Sequence, residues 1–268
     1  MIGKYLAFPD ISFRWTYVWR RNMFVWSKFL KSWFVAIVGE PVLYLLAIGF
    51  GIGQYIDRLV EGVPYFVFIA PGLVAATSMN AASFEATFGS FTRMNQQRTF
   101  HAIVTTPVNM NEVAVGDLMY AATKALAHGI VFLCLIVPIL IVSYGFTPPW
   151  WGVALTLPVI ALEGILFGSM GLLVTAFAKG YDFFSYYLTL VVSVMFFFAG
   201  VFFSLDSLPP VVQQVAWVMP LTHPVRLVRG LMLGQFDAAM ATHLVVMVAY
   251  TAVFFVLAVN AIRIRLIQ

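Results

Sequence analysis

Five ionisable side chains fall inside long apolar runs: Glu40 beside Pro41, Glu85, Lys124, His128 and Glu163. A charge within a bilayer is costly, so each such residue carries a functional hypothesis by default. Lys124 and His128 are four residues apart and share one helical face. Three carboxylates against one lysine could form interhelical ion pairs, a polar lining for a substrate headgroup, or a proton relay. Catalytic chemistry finds no support. His101, His128, His223 and His243 are scattered without metal-ligand spacing, and no Ser, His and Asp set sits on a nucleophile elbow. There is no G-x-x-x-x-G-K-[ST] phosphate loop, and the glycines of 49–53 lie at the end of an apolar run. No catalytic, cofactor-binding or metal-binding residue is therefore expected. If ATP drives this protein, a separate subunit must bind it.

Composition sets the class. With 268 residues, 62% hydrophobic and only 10% charged, and a mean hydropathy of +0.94, the chain reads as an integral membrane protein with no room for a soluble enzyme module. The formal charge of +4 comes from Lys and Arg placed mostly at the ends of apolar runs, which speaks for membrane orientation and against a nucleic-acid partner. Cys134 is a lone cysteine in an apolar run, expected to be a small buried residue. The first 33 residues interleave Arg14, Arg20, Arg21, Lys28 and Lys31 with aromatics and lack a cleavable signal pattern.

Periodicity places the elements. Ile11, Trp15, Val18 and Trp19 share a helical face that Arg14, Arg20 and Arg21 avoid, the pattern of a helix lying in the headgroup plane within residues 1–29. Apolar runs predict spans from about Leu30 to Gly53, Tyr65 to Phe91, Val113 to Tyr144, Gly152 to Ala178, Phe183 to Phe203 and Ala241 to Ile262. In domain terms, spans one to five occupy residues 30–204, a proline-punctuated segment that dips back into the interface occupies 205–240, and span six occupies 241–262. Gly164, Gly168 and Gly171 in the fourth span allow close helix contact. The expected fold class is an all-α integral membrane protein of six transmembrane helices in one domain. Its additions are an N-terminal interfacial helix, a cytoplasmic coupling helix and re-entrant helices before the last span. The basic residues concentrate on one side, which by the positive-inside rule puts both termini in the cytoplasm.

Between the second and third spans, Phe100, Ile103 and Val104 share a face opposite Arg98, His101 and Thr105. Such an amphipathic helix suits contact with a motor subunit, its apolar face seated in a groove and its polar face fixing register. Arg98, Thr99, Thr106, Pro107 and Gly116, with the runs 171–176, Tyr181-Asp182, 200–203, Leu208-Pro209 and 220–223, resemble the ABC-2 class of ABC-exporter membrane subunits, and its NodJ-type branch in particular. Gln96 and Gln97 stand where that pattern carries acidic residues, and Ser204 stands where it carries proline. The resemblance implies a permease of the bacterial inner membrane, working as a homodimer with two ATP-binding-cassette ATPases that hold ATP and Mg. It also implies an amphipathic cargo, such as a lipo-oligosaccharide or a lipid-linked glycan, exported from the cytoplasm through membrane lipids. Arg98, Thr99, Phe100, His101, Thr106 and Pro107 would then couple to the ATPase. Phe183, Phe184, Tyr186, Tyr187 and 196–198 would form a wall for an acyl chain. Leu208, Pro209, Pro220, His223, Arg226 and Arg229 would gate the extracytoplasmic exit, with the two arginines meeting headgroups or Asp206 and Asp237. The alternatives are an ABC-2 exporter of drugs or other small molecules, and an ion- or proton-coupled carrier using Glu40, Glu85, Glu163 and Lys124 as a relay. A membrane-embedded transferase would need a clustered polar site.

Overall fold

The computed structural model of the chain describes residues 8–44, 46, 47, 51 and 59–267. Among these residues the protein is all-helical, apart from a single bridge between Val60 and Val63 across a tight turn with Glu61 and Gly62 at positive φ. Helix α1 is Trp15–Ser27 and α2 is Leu30–Tyr44. Helix α3 starts at Tyr65 and runs to Gln96, α4 is Thr99–Val104, and α5 is Met110–Tyr144. Helix α6 is Trp150–Phe177, α7 is Asp182–Phe198, α8 is Pro210–Val218, α9 is Thr222–Leu233 and α10 is Ala239–Ile267.

Four of these, α3, α5, α6 and α10, are long and apolar enough to cross a membrane, so the chain is a multi-pass membrane protein. Helix α7 is apolar but shorter. The fifth expected run reaches Phe203, but the helix stops at Phe198, where the chain turns through Gly200 at φ 81°. Much of the end of the first expected span, with Asp57 and Arg58 after it, lies outside the described residues. Glu40 falls on α2, and its side chain also lies outside them.

Local sequence sets the ends. Asn109 and Glu112 form a reciprocal capping box at the start of α5, and Gly145 closes its far end at φ 62°. The 35 residues of α5 span roughly 52 Å at 1.5 Å each, well beyond the ~30 Å of a hydrocarbon core. Its first turns therefore extend past one membrane face, and α1 lies against them. The Trp19 indole donates to Thr123 Oγ1 at 3.0 Å and Val18 is buried, which is the face read from the spacing of Ile11, Trp15, Val18 and Trp19. Helix α6 is the hub, packed on α3, α5, α9 and α10.

Its glycine stripe explains the close packing. A Cβ on Gly164 would stand 2.9 Å from Ala122 Cα and Ala125 Cβ, and one on Gly171 2.9 Å from Ala86 Cβ. The neighbours are backbone or short side chains that cannot swing away. Gly164→Ala is expected to lower stability by about 1–3 kcal/mol through overpacking. Gly39→Ala, with nothing among the described residues within 4 Å of its Cβ, should change little. Thermal unfolding midpoints of the two variants in one detergent check this.

Candidate functional site

Asp117, Tyr120, Lys124 and His128 form a stripe along the first half of α5, facing the second half of α3. There the helix widens twice: Ser90 N–H donates to Glu85 O and Gln97 N–H to Thr92 O, each a five-residue reach. These wide turns aim Glu85, Ser90 and Arg93 at α5. Arg93 is the hinge of the resulting network. Its NH1 lies 2.6 Å from Glu85 Oε1 and its Nε 2.6 Å from Asp117 Oδ1, while Lys124 Nζ reaches Glu85 Oε2 at 2.5 Å. Ser90 Oγ and Asn22 Nδ2 donate to the two oxygens of Asp117 at 2.5 and 3.0 Å. Gly89 is required beneath Glu85, because a Cβ there would collide with the carboxylate. Arg93 and Lys124 each lie 5.2 Å from the centre of the Tyr120 ring, which covers the cluster. His128 Nδ1 sits 2.9 Å from the Lys124 carbonyl.

Two adjoining cavities share Phe84, Glu85 and Lys124 in their walls. The larger, about 660 Å³, lies among α2, α3, α5 and α7, with Lys124 and His128 on one side and Phe196 and Phe197 on the other. The smaller, about 340 Å³, opens past Arg21 and Gln97 at the end of the molecule that carries α1 and α4. Together they outline a groove whose smaller part adds Arg21 and Arg93, and whose larger part adds Phe196 and Phe197, to the shared Phe84, Glu85 and Lys124. Of the aromatic residues expected as an acyl wall, Phe184, Tyr187 and Phe196 are buried, and Phe183, Tyr186, Phe197 and Phe198 are exposed. Tyr181 pins the start of α7 by hydrogen bonding to Thr92 at 2.8 Å and stacking on Phe88.

At that same end, α4 is tied back to α1 and α5. Arg14 NH1 donates to Pro107 O at 2.6 Å, and both Ser12 N–H and its hydroxyl donate to Glu112. Arg98 adopts φ 52° and starts the helix. One expectation is corrected here: Phe100 is 1% exposed and belongs to the chain's own core with Phe91, Met94, Val113 and Leu118, so it is not offered outward, while Ile103 and Val104 are half-buried. What α4 presents is polar: Arg98, His101, Thr105 and Thr106 are exposed along with Pro107, and Thr99 is half-buried. Beside them an open recess of about 560 Å³ is lined by Val104, Thr106, Pro107, Asn109 and Arg263.

The opposite end carries α8 and α9. Leu208 and Pro220 are half-buried and Pro209 is exposed. Arg226 meets Asp206 at 3.3 Å, as expected. Arg229 does not meet Asp237 or the surface. It is buried, stacked 3.8 Å over the Phe68 ring, and donates to Phe68 O, Gly200 O and Val201 O at 3.2, 2.8 and 3.3 Å. The two arginines are three residues apart but point to different environments. His223 is fully buried, its Nδ1 2.9 Å from His243 Nδ1 and its ring edge-on to Trp217. Burial, with the neighbouring His243, pushes the His223 imidazole down to about 4. Ser204, the departure from proline, donates to Glu61 Oε1 at 2.6 Å and so ties this end to the Val60 turn.

Of the relay residues, Glu85 and Lys124 are brought together, Glu163 is not joined to them, and the Glu40 side chain lies outside the described residues. Glu85 is engaged by Arg93 and Lys124, whereas Glu163 is fully buried on α6 and neither of its oxygens has a hydrogen-bond partner among the described residues. Cys134 also departs from expectation: it is exposed on α5 rather than buried. Sequence reasoning missed Asp117, Ser90, Asn22 and the role of Arg93. The spacing of Asp117 and Lys124, seven apart on one helical face, was the available signal.

The sequence profile of the ABC-2 type transporter family matches residues 14–233. The chain belongs to this family, as a transporter membrane subunit rather than a catalytic one. Within it the chain is NodJ-like. It is 38% identical to Nodulation protein J of Rhizobium leguminosarum bv. viciae over 260 residues, 97% of this chain and 98% of that protein. It is 35% identical to Nodulation protein J of Rhizobium meliloti (strain 1021), again over 97% of each chain. The inner membrane transport permease YadH of Escherichia coli (strain K12) is 28% identical over 250 residues, 89% of this chain and 93% of its own length. No solved structure gives a significant match.

Proposed function

We propose that this chain is the permease subunit of an ATP-driven exporter that moves an amphipathic molecule, of the lipo-oligosaccharide or lipid-linked glycan kind, out of the cytoplasm. The observation that carries the reading is the pair of adjoining cavities, with Arg21 and Arg93 lining one, Phe196 and Phe197 lining the other, and Phe84, Glu85 and Lys124 shared between them. A molecule with a polar head and an apolar tail is matched by such a gradient, whereas a small ion needs no aromatic chamber. Both termini, α1 and α4 then face the cytoplasm, and α8 and α9 form the extracytoplasmic cap. Two copies of the chain pair with two ATPase subunits, which bind ATP and Mg.

In this reading the ATPase docks on the exposed polar edge of α4 and the adjoining recess. Motion of α4 reaches the groove through the wide turns of α3, because Arg98 follows directly on the segment that holds Arg93. Glu85 and Lys124 open or close the groove by making or releasing their ion pair.

Arg98→Glu is expected to reduce substrate-stimulated ATP hydrolysis at least tenfold while leaving the unfolding midpoint of the permease unchanged. Phe100→Ala should do the reverse first, destabilising the fold by about 3–5 kcal/mol as a large core truncation. Proteoliposomes holding the permease and its ATPase partner provide the assay, read by ATP turnover and by movement of an acyl-labelled oligosaccharide. ATP-dependent movement of the labelled glycolipid supports the reading. Uptake or release driven by a proton gradient without any ATPase would overturn it.

A further inference from the structure

Charge along the groove is unevenly matched. Glu85 and Asp117 are satisfied by Arg93 and Lys124 at 2.5 to 2.6 Å. Arg21, on α1, is a third cation lining the mouth of the smaller cavity. Among the described residues it has no ion-pair partner, and its hydrogen bond goes to a neutral acceptor, Asn22 Oδ1 at 2.9 Å. Asn22 is in turn held by its own donation to Asp117, so Arg21 is anchored to the network without being neutralised by it. Lys124 lines both cavities, and an ammonium has three donors, of which Glu85 takes one. Among the described residues, two carboxylates against three cations leave the groove one positive charge out of balance.

We propose, resting on the groove reading above, that the groove selects amphiphiles whose headgroup carries a negative charge, on phosphate, sulfate or carboxylate oxygens. Arg21 is the residue that reads this charge at the mouth, and Lys124 makes a second contact further in. The guanidinium suits such oxygens because its planar fork can donate two parallel hydrogen bonds. Lys124 can turn a donor toward the headgroup while Glu85 keeps its bond to Arg93, so no buried carboxylate is left alone. A neutral headgroup gains neither contact. The acyl part continues past Phe84 toward Phe196 and Phe197, which fixes the order of recognition: charge at the mouth, chain inside. Arg20, the adjacent exposed arginine of α1, lines neither cavity and should not discriminate.

The test measures binding of two probes with the same fluorescent acyl chain, a phosphatidic acid and a diacylglycerol. The full chain, with any subunits that accompany it, is held in nanodiscs of phosphatidylcholine. The anionic probe is expected to bind about tenfold more tightly than the neutral one. Arg21→Gln should remove most of that preference and Arg21→Lys should keep part of it, while Arg20→Gln leaves it intact. Phe197→Ala should weaken both probes alike, and free glycerol 3-phosphate should displace neither. Equal binding of the two probes, with both still weakened by Phe197→Ala, overturns the charge selection and leaves the groove reading standing. Equal loss of preference in the Arg20 and Arg21 variants also overturns it, by tracing the effect to surface potential. Displacement by glycerol 3-phosphate would make a soluble anion the ligand and overturn the amphiphile. Binding of neither probe would bring down the groove reading itself.

Discussion

Arg93→Met is expected to abolish export and to destabilise the permease by about 3–5 kcal/mol, the cost of leaving a buried charge without its partner. The guanidinium is shared by two carboxylates from different helices, Glu85 on α3 and Asp117 on α5. Asp117 is wholly buried and Glu85 is 7% exposed, so water cannot replace the lost cation. Lys124 still pairs with Glu85 in the variant, and the heaviest loss falls on Asp117, left with Ser90 and Asn22. The compensating double variant, Arg93→Met with Asp117→Asn, should recover most of the unfolding midpoint, since it removes one cation and one carboxylate together and leaves Glu85 paired with Lys124. It should not recover export, because no cation then joins Glu85 on α3 to Asp117 on α5 beside the groove. Fluorescence-detected unfolding and vesicle export, measured on the same preparations, separate the two effects. A single variant that kept both its midpoint and its export would show that the network neither holds the helices nor serves transport.

Replacing Arg229 should have the next largest effect, and replacing Arg226 almost none. Arg229 joins three carbonyls from two separated segments, the start of α3 and the turn after α7, and covers the Phe68 ring. Methionine in its place fills the volume but leaves those buried acceptors unpaired, an expected loss of about 3 kcal/mol. Lysine should rescue only part of this, because a point charge cannot direct separate donors at Phe68 O and Gly200 O. Arg226 instead pairs with an Asp206 that is 77% exposed, and Arg226→Gln should stay within about 1 kcal/mol of the parent. Thermal unfolding of the three variants checks the order. If Arg226→Gln proved as damaging as Arg229→Met, the assignment of Arg229 as the clamp of the α9 end would be wrong.

Much of the architecture is legible in the chain because its signals are local. The apolar runs set the class, the spacing of Trp15, Val18 and Trp19 marks the buried face of α1, and Gly164, Gly168 and Gly171 mark where α6 touches its neighbours. The polar edge of α4 is also readable from alternation, but what covers Phe100 is not. A helix face declares that it must be covered, not by what, and here Phe91, Met94 and Leu118 reach Phe100 first.

The charged residues within the spans, taken at the outset as the carriers of chemistry, divide in the same way. That Glu85, Lys124, His128 and Glu163 sit in apolar surroundings follows from the sequence alone, as does membrane insertion. Which of them meet was decided by tertiary structure. The bond between Arg93 and Asp117 joins residues 24 positions apart on two helices. It forms only because the two wide turns in α3 rotate Arg93 toward α5, and such turns leave no sequence mark. In the same packing Glu85 is paired twice, while among the described residues Glu163 has no hydrogen-bond partner and Arg21 meets no carboxylate. Composition determines how many charges a membrane protein carries, but the rotation of each helix about its own axis determines which of them are neutralised and which remain to bind.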